Sequence, residues 1–267
     1  MKKILLLASA LFIVSMLNAQ QKEGRVVYER IIQIQLRLQG MGDEMERAIP
    51  RTRTDKLEVL FGNNQSLRKN IQEDAPEDDA SDGGGGMKIR MITAGADDIT
   101  YCNFDEQRSV NQTEFAAKKY LVSDSLHKMS WKLTGESKTI LGYSCQKATT
   151  QRIGKRTMAT IDNGQIKREE IADTSNIAAW FTSAIPVSAG PDFQGQLPGL
   201  ILEIDINDGR TTYKALELSP KVDLATIKEP KSGKKITQDE FTKERAKTME
   251  EMQKNMGGRG RMVQISQ

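Results

Sequence analysis

The sequence predicts a mainly β protein: one curved antiparallel sheet, half-barrel or sandwich-like, plus a C-terminal α-helix. Three observations predict it. Apolar and polar residues alternate over many short segments, which is the period of a half-buried strand. Gly, Asn, Asp and Pro clusters separate those segments at roughly 8–12-residue spacing, as in sheet-built domains. The one strong helical signature comes last, where Thr237-Gln238-Asp239-Glu240 forms a capping box.

The chain opens with Lys2-Lys3, an apolar run over 4–17 broken by two serines, and a small residue at Ala19. Basic, apolar and small-residue regions in that order are the pattern of a secretory signal peptide. The run is too short and too soon interrupted for a membrane span. A leader over 1–19 is therefore expected, and with it a periplasmic or secreted protein. No cysteine follows the apolar run, so no lipid anchor is expected at the new N-terminus. Of the 39 basic side chains two fall in the leader, which leaves the rest near balance with 36 acids. Without a basic excess on one surface, nucleic acid is not an expected partner. Cys102 and Cys145 are the only cysteines. An even count in an exported chain favours a disulfide between them, with two buried free thiols as the alternative.

Over 24–38 the residues alternate, with Val26, Tyr28, Ile32, Ile34 and Leu36 on one parity, and the segment reads as a long strand. Segments 54–61 and 66–71 flank Asn63-Asn64, a pair that tolerates positive φ, and read as a hairpin. Six acids fall within 73–82, and Gly83 to Gly86 follow. Like charges repel and glycines are entropically costly to order, so 73–86 reads as a flexible surface loop. Short strands are then expected at 87–92, 98–104, 109–115, 119–122, 130–134, 138–141, 143–151 and 156–162. Asn163-Gly164 turns the last of these into 165–171. Segments 200–206 and 210–218, joined by Asn207-Asp208-Gly209, form the clearest hairpin. One β-rich domain over 20–227 is expected, and 228–267 should hold a charged helix and a tail. That helix should start at the capping box, with Ile236 and Phe241 as a hydrophobic staple, and stop near Gly257-Gly258.

Catalytic chemistry has little to work with. His127 is the only histidine, so a two-histidine zinc site is impossible and any Ser-His-Asp set must run through it. No Gly-x-Ser-x-Gly, phosphate-binding or dinucleotide-binding glycine motif occurs. No enzyme activity, no cofactor and no metal site are expected. One metal alternative remains, because Met249, Met252 and Met256 share a helical face with Met262 beyond it. Soft thioethers suit Cu(I), although methionine is equally the flexible filler of helix faces.

The most distinctive stretch is Gln196-Leu197-Pro198-Gly199-Leu200-Ile201. Pro198-Gly199 suits the central pair of a type II turn, with the glycine at positive φ. Leu200, Leu202, Ile204 and Ile206 then share one face of a strand. Two readings stand. The hexapeptide is a rigid corner that seats that strand in the core. Alternatively, Trp180, Phe181, Leu197, Pro198 and Leu200 line the mouth of an apolar groove for a hydrophobic ligand.

This hexapeptide resembles the signature of the GLPGLI family, exported proteins of the Bacteroidetes with no assigned reaction. Trp131 to Thr134, Ile140 to Ala148, Ala179 to Thr182, Ile185-Pro186 and Gly190-Pro191 extend the resemblance. The first position departs from it, with Gln196 where the family name has glycine. The resemblance implies a non-enzymatic envelope protein with a periplasmic binding or accessory role. It also suggests an interaction module on an outer-membrane TonB-dependent uptake system as an alternative. By looser analogy, a curved sheet closed by a helix is similar to the half-barrels of periplasmic lipoprotein carriers.

Overall fold

A computed structural model describes residues 21–33, 51–71, 97–162 and 165–259; within it, side chains of 155–171 and 253–259 are not described. The expected leader, the 34–38 end of the first strand, the 73–86 loop, strand 87–92, the Asn163-Gly164 turn and the tail from 260 lie outside the described residues.

Two meanders meet at the first strand. β1 (Gly24–Gln33), β2 (Thr52–Gly62), β3 (Gln65–Ile71), β4 (Ile99–Asn103), β5 (Arg108–Phe115) and β6 (Lys118–Ser125) pair in sequence order. The chain then crosses to the far edge. It returns through β7 (Lys132–Ile140), β8 (Tyr143–Asp162), β9 (Gln165–Thr182), β10 (Leu200–Ile206) and β11 (Thr211–Ser219), which pairs with β1. β12 (Lys234–Thr237) adds to β6 in parallel, and every other pairing among the described residues is antiparallel. Among the described residues the result is one mainly β, 12-stranded sheet with a single α-helix at the C-terminal end, α1 (Gln238–Arg259).

The connectivity forces this sheet to curl. β6 and β7 stand ten places apart in the strand order. In a flat sheet that would separate them by about 48 Å at ~4.8 Å per strand. Only residues 126–131 join Ser125 to Lys132, and a chain of that length reaches roughly 25 Å. The two ends must therefore bend towards each other, making an open curled sheet.

Cross-strand rows set the inner face. Val26 pairs with Val59 and Tyr28 with Leu57, and all four side chains are fully buried. Ile204 lies between Ala179 and Tyr213 in the same core. The concavity is filled by the chain itself. Residues 183–199, between β9 and β10, bring Ile185, Val187, Ala189 and Leu197 into the core with β1, β2, β8 and β9. Arg68 of β3 donates to the Pro191 carbonyl at 3.0 Å, and Ser66 beside it hydrogen-bonds Gln194. On the outer face, the segment after β11 lays Ile227 over Leu60, Leu67 and Tyr101.

Turns and caps follow the residues that favour them. Asn63 and Asn64 both take positive φ, giving the two-residue β2–β3 hairpin. Asn207, Asp208 and Gly209 do the same between β10 and β11. At α1, Glu240 accepts from the Thr237 backbone at 2.9 Å while Thr237 Oγ1 accepts from the Glu240 amide at 3.3 Å. Phe241 packs on Tyr120 with ring centroids 5.1 Å apart. The helix runs past Gly257-Gly258 to Arg259; glycine costs a helix about 1 kcal/mol but leaves the hydrogen-bond ladder intact. Elsewhere, strands expected as pairs are continuous. Segments 130–134 and 138–141 join as β7 across a bulge containing Gly135 at φ 81°, and 143–151 joins 156–162 as β8.

Candidate functional site

Three of the residues expected to line an apolar groove, Phe181, Leu197 and Leu200, are brought together inside the core rather than at a groove mouth. Leu200 is fully buried, and Phe181 and Leu197 are nearly so, all three within the main core. Pro198 is exposed at the bend. Trp180 follows the strand alternation to the opposite face from Phe181. The physical reason is the curl: the concavity that would hold an apolar ligand is occupied by 183–199. The hexapeptide is thus the corner that seats β10.

The corner differs from the expected type II turn. Gly199 donates its amide to the Leu197 carbonyl at 2.9 Å, closing a three-residue γ-turn about Pro198. Gly199 is not among the residues with positive φ. Its glycine is required by proximity instead, since an added Cβ would lie 2.2 Å from the Thr182 carbonyl oxygen. Gln196 carries the second tie. Its Oε1 accepts from the Met129 amide at 2.9 Å and its Nε2 donates to the His127 carbonyl, pinning the short β6–β7 connection to the filled core.

A groove of about 930 Å³ lies where β7 to β10 present their outward-facing residues. Strand period explains its lining. Lys147, Thr149, Gln151 and Ile153 are alternate residues of β8, as are Asn176, Ala178 and Trp180 of β9 and Glu203 and Asp205 of β10. The register sets Lys147, Trp180 and Glu203 in one row, and Thr149, Ala178 and Asp205 in the next. Met129, Ser130 and Asp208 also line it.

Its polar groups are mutually ordered. Lys138 reaches over Trp180, with Nζ 4.3 Å from the ring, and pairs with Glu203 at 2.8 Å. Lys147 donates to both Glu136 oxygens at 3.0 Å, and that hydrogen bond holds the Glu136 carboxyl below its usual range. Gln151 donates to the Asn176 carboxamide at 3.0 Å, and Asp205 accepts from the Gly209 amide at 2.7 Å. Such a surface can hydrogen-bond a polar ligand and set one aromatic ring beneath it. Of the five ligand-binding residues expected from sequence, only Trp180 lines this groove. Other residues of the lining were legible in the alternation of Glu203 and Asp205 against Ile204 and Ile206, which marks an outer face as clearly as a core.

The remaining candidates resolve individually. Ser125, Asp124 and His127 are close: Ser125 Oγ lies 3.4 Å from His127 Nδ1 and 3.2 Å from Nε2, and Asp124 Oδ1 lies 3.3 Å from Nε2. Ser125 is exposed and His127 is 77% exposed, so the cluster stands open to water, where its charge interactions are weak. Among the described residues no group of three or more His, Cys, Asp or Glu is placed to hold a metal ion. Met249 and Met252 are exposed on α1, while the side chain of Met256, and Met262, lie outside the described residues.

The expected disulfide is not formed: Cys102 and Cys145 are both buried and free. Six strands separate β4 from β8 in the sheet order. Each thiol also has its own surroundings, Cys102 beside Ser66 and Arg68, Cys145 beside Ile140 and Lys138. Burial pushes the Cys102 thiol up to about 11. Among the described residues no helix is long and apolar enough to cross a membrane.

Residues 131–203 match a family described as "Protein of unknown function (Porph_ging)". That stretch contains β7 to β9, the core-filling 183–199 segment and the first residues of β10, so it carries most of the groove lining. No curated protein matches the chain. Among solved structures, "Structure of PNGF-II in C2 space group" is 16% identical with a TM-score of 0.50, over 85% of this chain and 33% of that one. "Structure of PNGF-II in P21 space group" is also 16% identical, with a TM-score of 0.49 over 85% of this chain and 34% of that one. The chain spans about a third of the length of these structures, and at this identity the likeness is one of fold.

Proposed function

We propose that this is a non-catalytic binding protein of the cell envelope, and that its ligand site is the outer groove around Trp180. The observation that carries the reading is the groove floor. Trp180 sits beside ordered ammonium, carboxamide and carboxylate groups on a rigid sheet. The ligand is polar, since the apolar concavity is filled. Export is supported by the leader pattern over 1–19 and by the GLPGLI-like segments, which overlap the matched 131–203. The exposure of His127, the only histidine in the sequence, supports the non-catalytic reading.

Native mass spectrometry of the protein purified from its own envelope tests this. A polar adduct should be present on the wild type and lost from Trp180→Ala and Gln151→Trp, the latter filling the groove from an exposed position. Retention of Gln151→Trp's melting temperature separates lost binding from lost folding. An adduct that persists in both variants, or none on the wild type, overturns the assignment.

A further inference from the structure

The β8–β9 hairpin outruns its neighbours. β7 begins at Lys132 opposite Thr149, and β10 ends at Ile206 opposite Ile177. From Arg152↔Ser175 to Asp162↔Gln165, eleven consecutive residue pairs, the two strands pair only with each other among the described residues. At about 3.3 Å per residue this is an arm roughly 35 Å long. Its root is bare: Ile153 is 82% exposed, and a Cβ built on Gly154 would meet nothing within 4 Å. Two-stranded ribbons are marginal in water, and a free edge presents a row of backbone N–H and C=O groups with which an extended chain can pair.

We propose that the β8 arms of two copies of this chain pair edge to edge, antiparallel, about a two-fold axis at Thr157. A two-fold pairing that uses the whole of Arg152 to Asp162 must be centred on its middle residue, so the register is fixed rather than chosen. That register sets Arg152 opposite Asp162 of the partner subunit, and Ile153 opposite Ile161 of the partner subunit. Thr157 meets its own symmetry mate. Lys155 and Arg156 fall directly opposite alanine and methionine, so no directly opposed pair sets like charges together. Opposite charges and β-branched apolar pairs are what stabilise cross-strand neighbours, and symmetry supplies each twice. The β9 edge fits worse, because the midpoint of 165–175 is Glu170, which would set two carboxylates against each other. The occupant of the β8 edge is therefore a second copy, joined through a four-stranded ribbon.

Sedimentation equilibrium of the mature chain should give a monomer–dimer equilibrium. Under mild oxidation Thr157→Cys should cross-link into covalent dimers. Ile153→Cys, whose two copies lie roughly 26 Å apart in this register, should not, and it shares the same two native thiols. Asp162→Arg should weaken the dimer at least about threefold, and Arg152→Asp added to it should restore the affinity. A monomer at every concentration overturns the proposal, as does equal cross-linking of the two cysteine variants or a dimer that cross-links through Glu170→Cys instead.

Discussion

A Cβ on Gly199 would stand 2.2 Å from the Thr182 carbonyl oxygen and 2.8 Å from its carbonyl carbon. Both obstacles are backbone, held in the β9–β10 pairing through Leu200↔Thr182, so neither can swing aside. Gly199→Ala should therefore destabilise the fold by more than about 3 kcal/mol, the scale of overpacking against an unyielding neighbour. Gly135→Ala is the comparison. That glycine is at φ 81° with open space around it, so alanine should cost only about 1–2 kcal/mol of left-handed strain. Denaturant unfolding of the two variants would refute the close-approach argument if the order were reversed.

Much of this architecture was legible in the chain. Alternation located most strands, Asn63-Asn64 located a turn, and Thr237 with Glu240 located the helix start. What could not be read was how far apart in sequence the surfaces that meet are. The alternation around Phe181 marks one face as apolar, but not that Leu197 and Ile185 would cover it; that depends on the curl, which follows from strand order. The same gap explains the groove. Phe181 and Trp180 are both aromatic, and only the register with Lys147 and Glu203 assigns the second to the outer face. β12 was missed because two of its four residues are lysines and its partner is β6, more than a hundred residues earlier.

The β5–β6 hairpin contains a residue choice that works against its geometry. Ala116 and Ala117 have φ of 52° and 61°, the pair of left-handed values that a two-residue hairpin demands and that Asn-Gly suits best. Alanine gains nothing there to offset the Cβ clash, which costs about 1–2 kcal/mol per residue. Ala116→Asn with Ala117→Gly should raise the stability by about 1–2 kcal/mol, read as a higher midpoint in urea with an unchanged slope. A lower midpoint would mean that the alanines make contacts that matter more than their strain.

Alkaline pH should unfold this protein early. Burial pushes the Tyr28 hydroxyl well above its ordinary 10 and the Cys102 thiol from 9 up to about 11. Tyr213 is raised as well, by burial first. The unfolded chain then loses these protons before the folded one does, so it binds fewer protons and stability falls as pH rises. The loss should begin near pH 9 with Cys102 and steepen above pH 10 with the tyrosines. Cys102→Ala should reduce the slope of stability against pH between 9 and 11, relative to the wild type. Tyr28→Phe should flatten it above 10, at a cost of about 1–2 kcal/mol at neutral pH for the lost 2.7 Å bond to the Ile201 carbonyl. Slopes unchanged in both variants would show that these groups do not control the alkaline limb.

Gln196 occupies the position where the resembling family has glycine, and its carboxamide does what a neighbouring strand would do. It accepts from the Met129 amide and donates to the His127 carbonyl, giving two backbone groups of the 126–131 connection a partner. This connection closes the curl, so the tie couples the ends of the sheet to the filled core. Gln196→Gly should cost about 1–2 kcal/mol, two partly exposed hydrogen bonds' worth, and should speed hydrogen exchange at the Met129 amide. The Ile201 amide, bonded to the Ala189 carbonyl at 3.0 Å, should keep its protection because it belongs to the corner rather than to the tie. Gln196→Glu separates the two bonds. A carboxylate still accepts from Met129 but faces the His127 carbonyl with like partial charge, so at neutral pH it should be no more stable than the glycine variant. Protonation restores a donor, and the deficit relative to wild type should shrink as pH falls below about 4.5. A glutamate variant as stable as wild type at pH 7 would show that the bond to His127 contributes nothing.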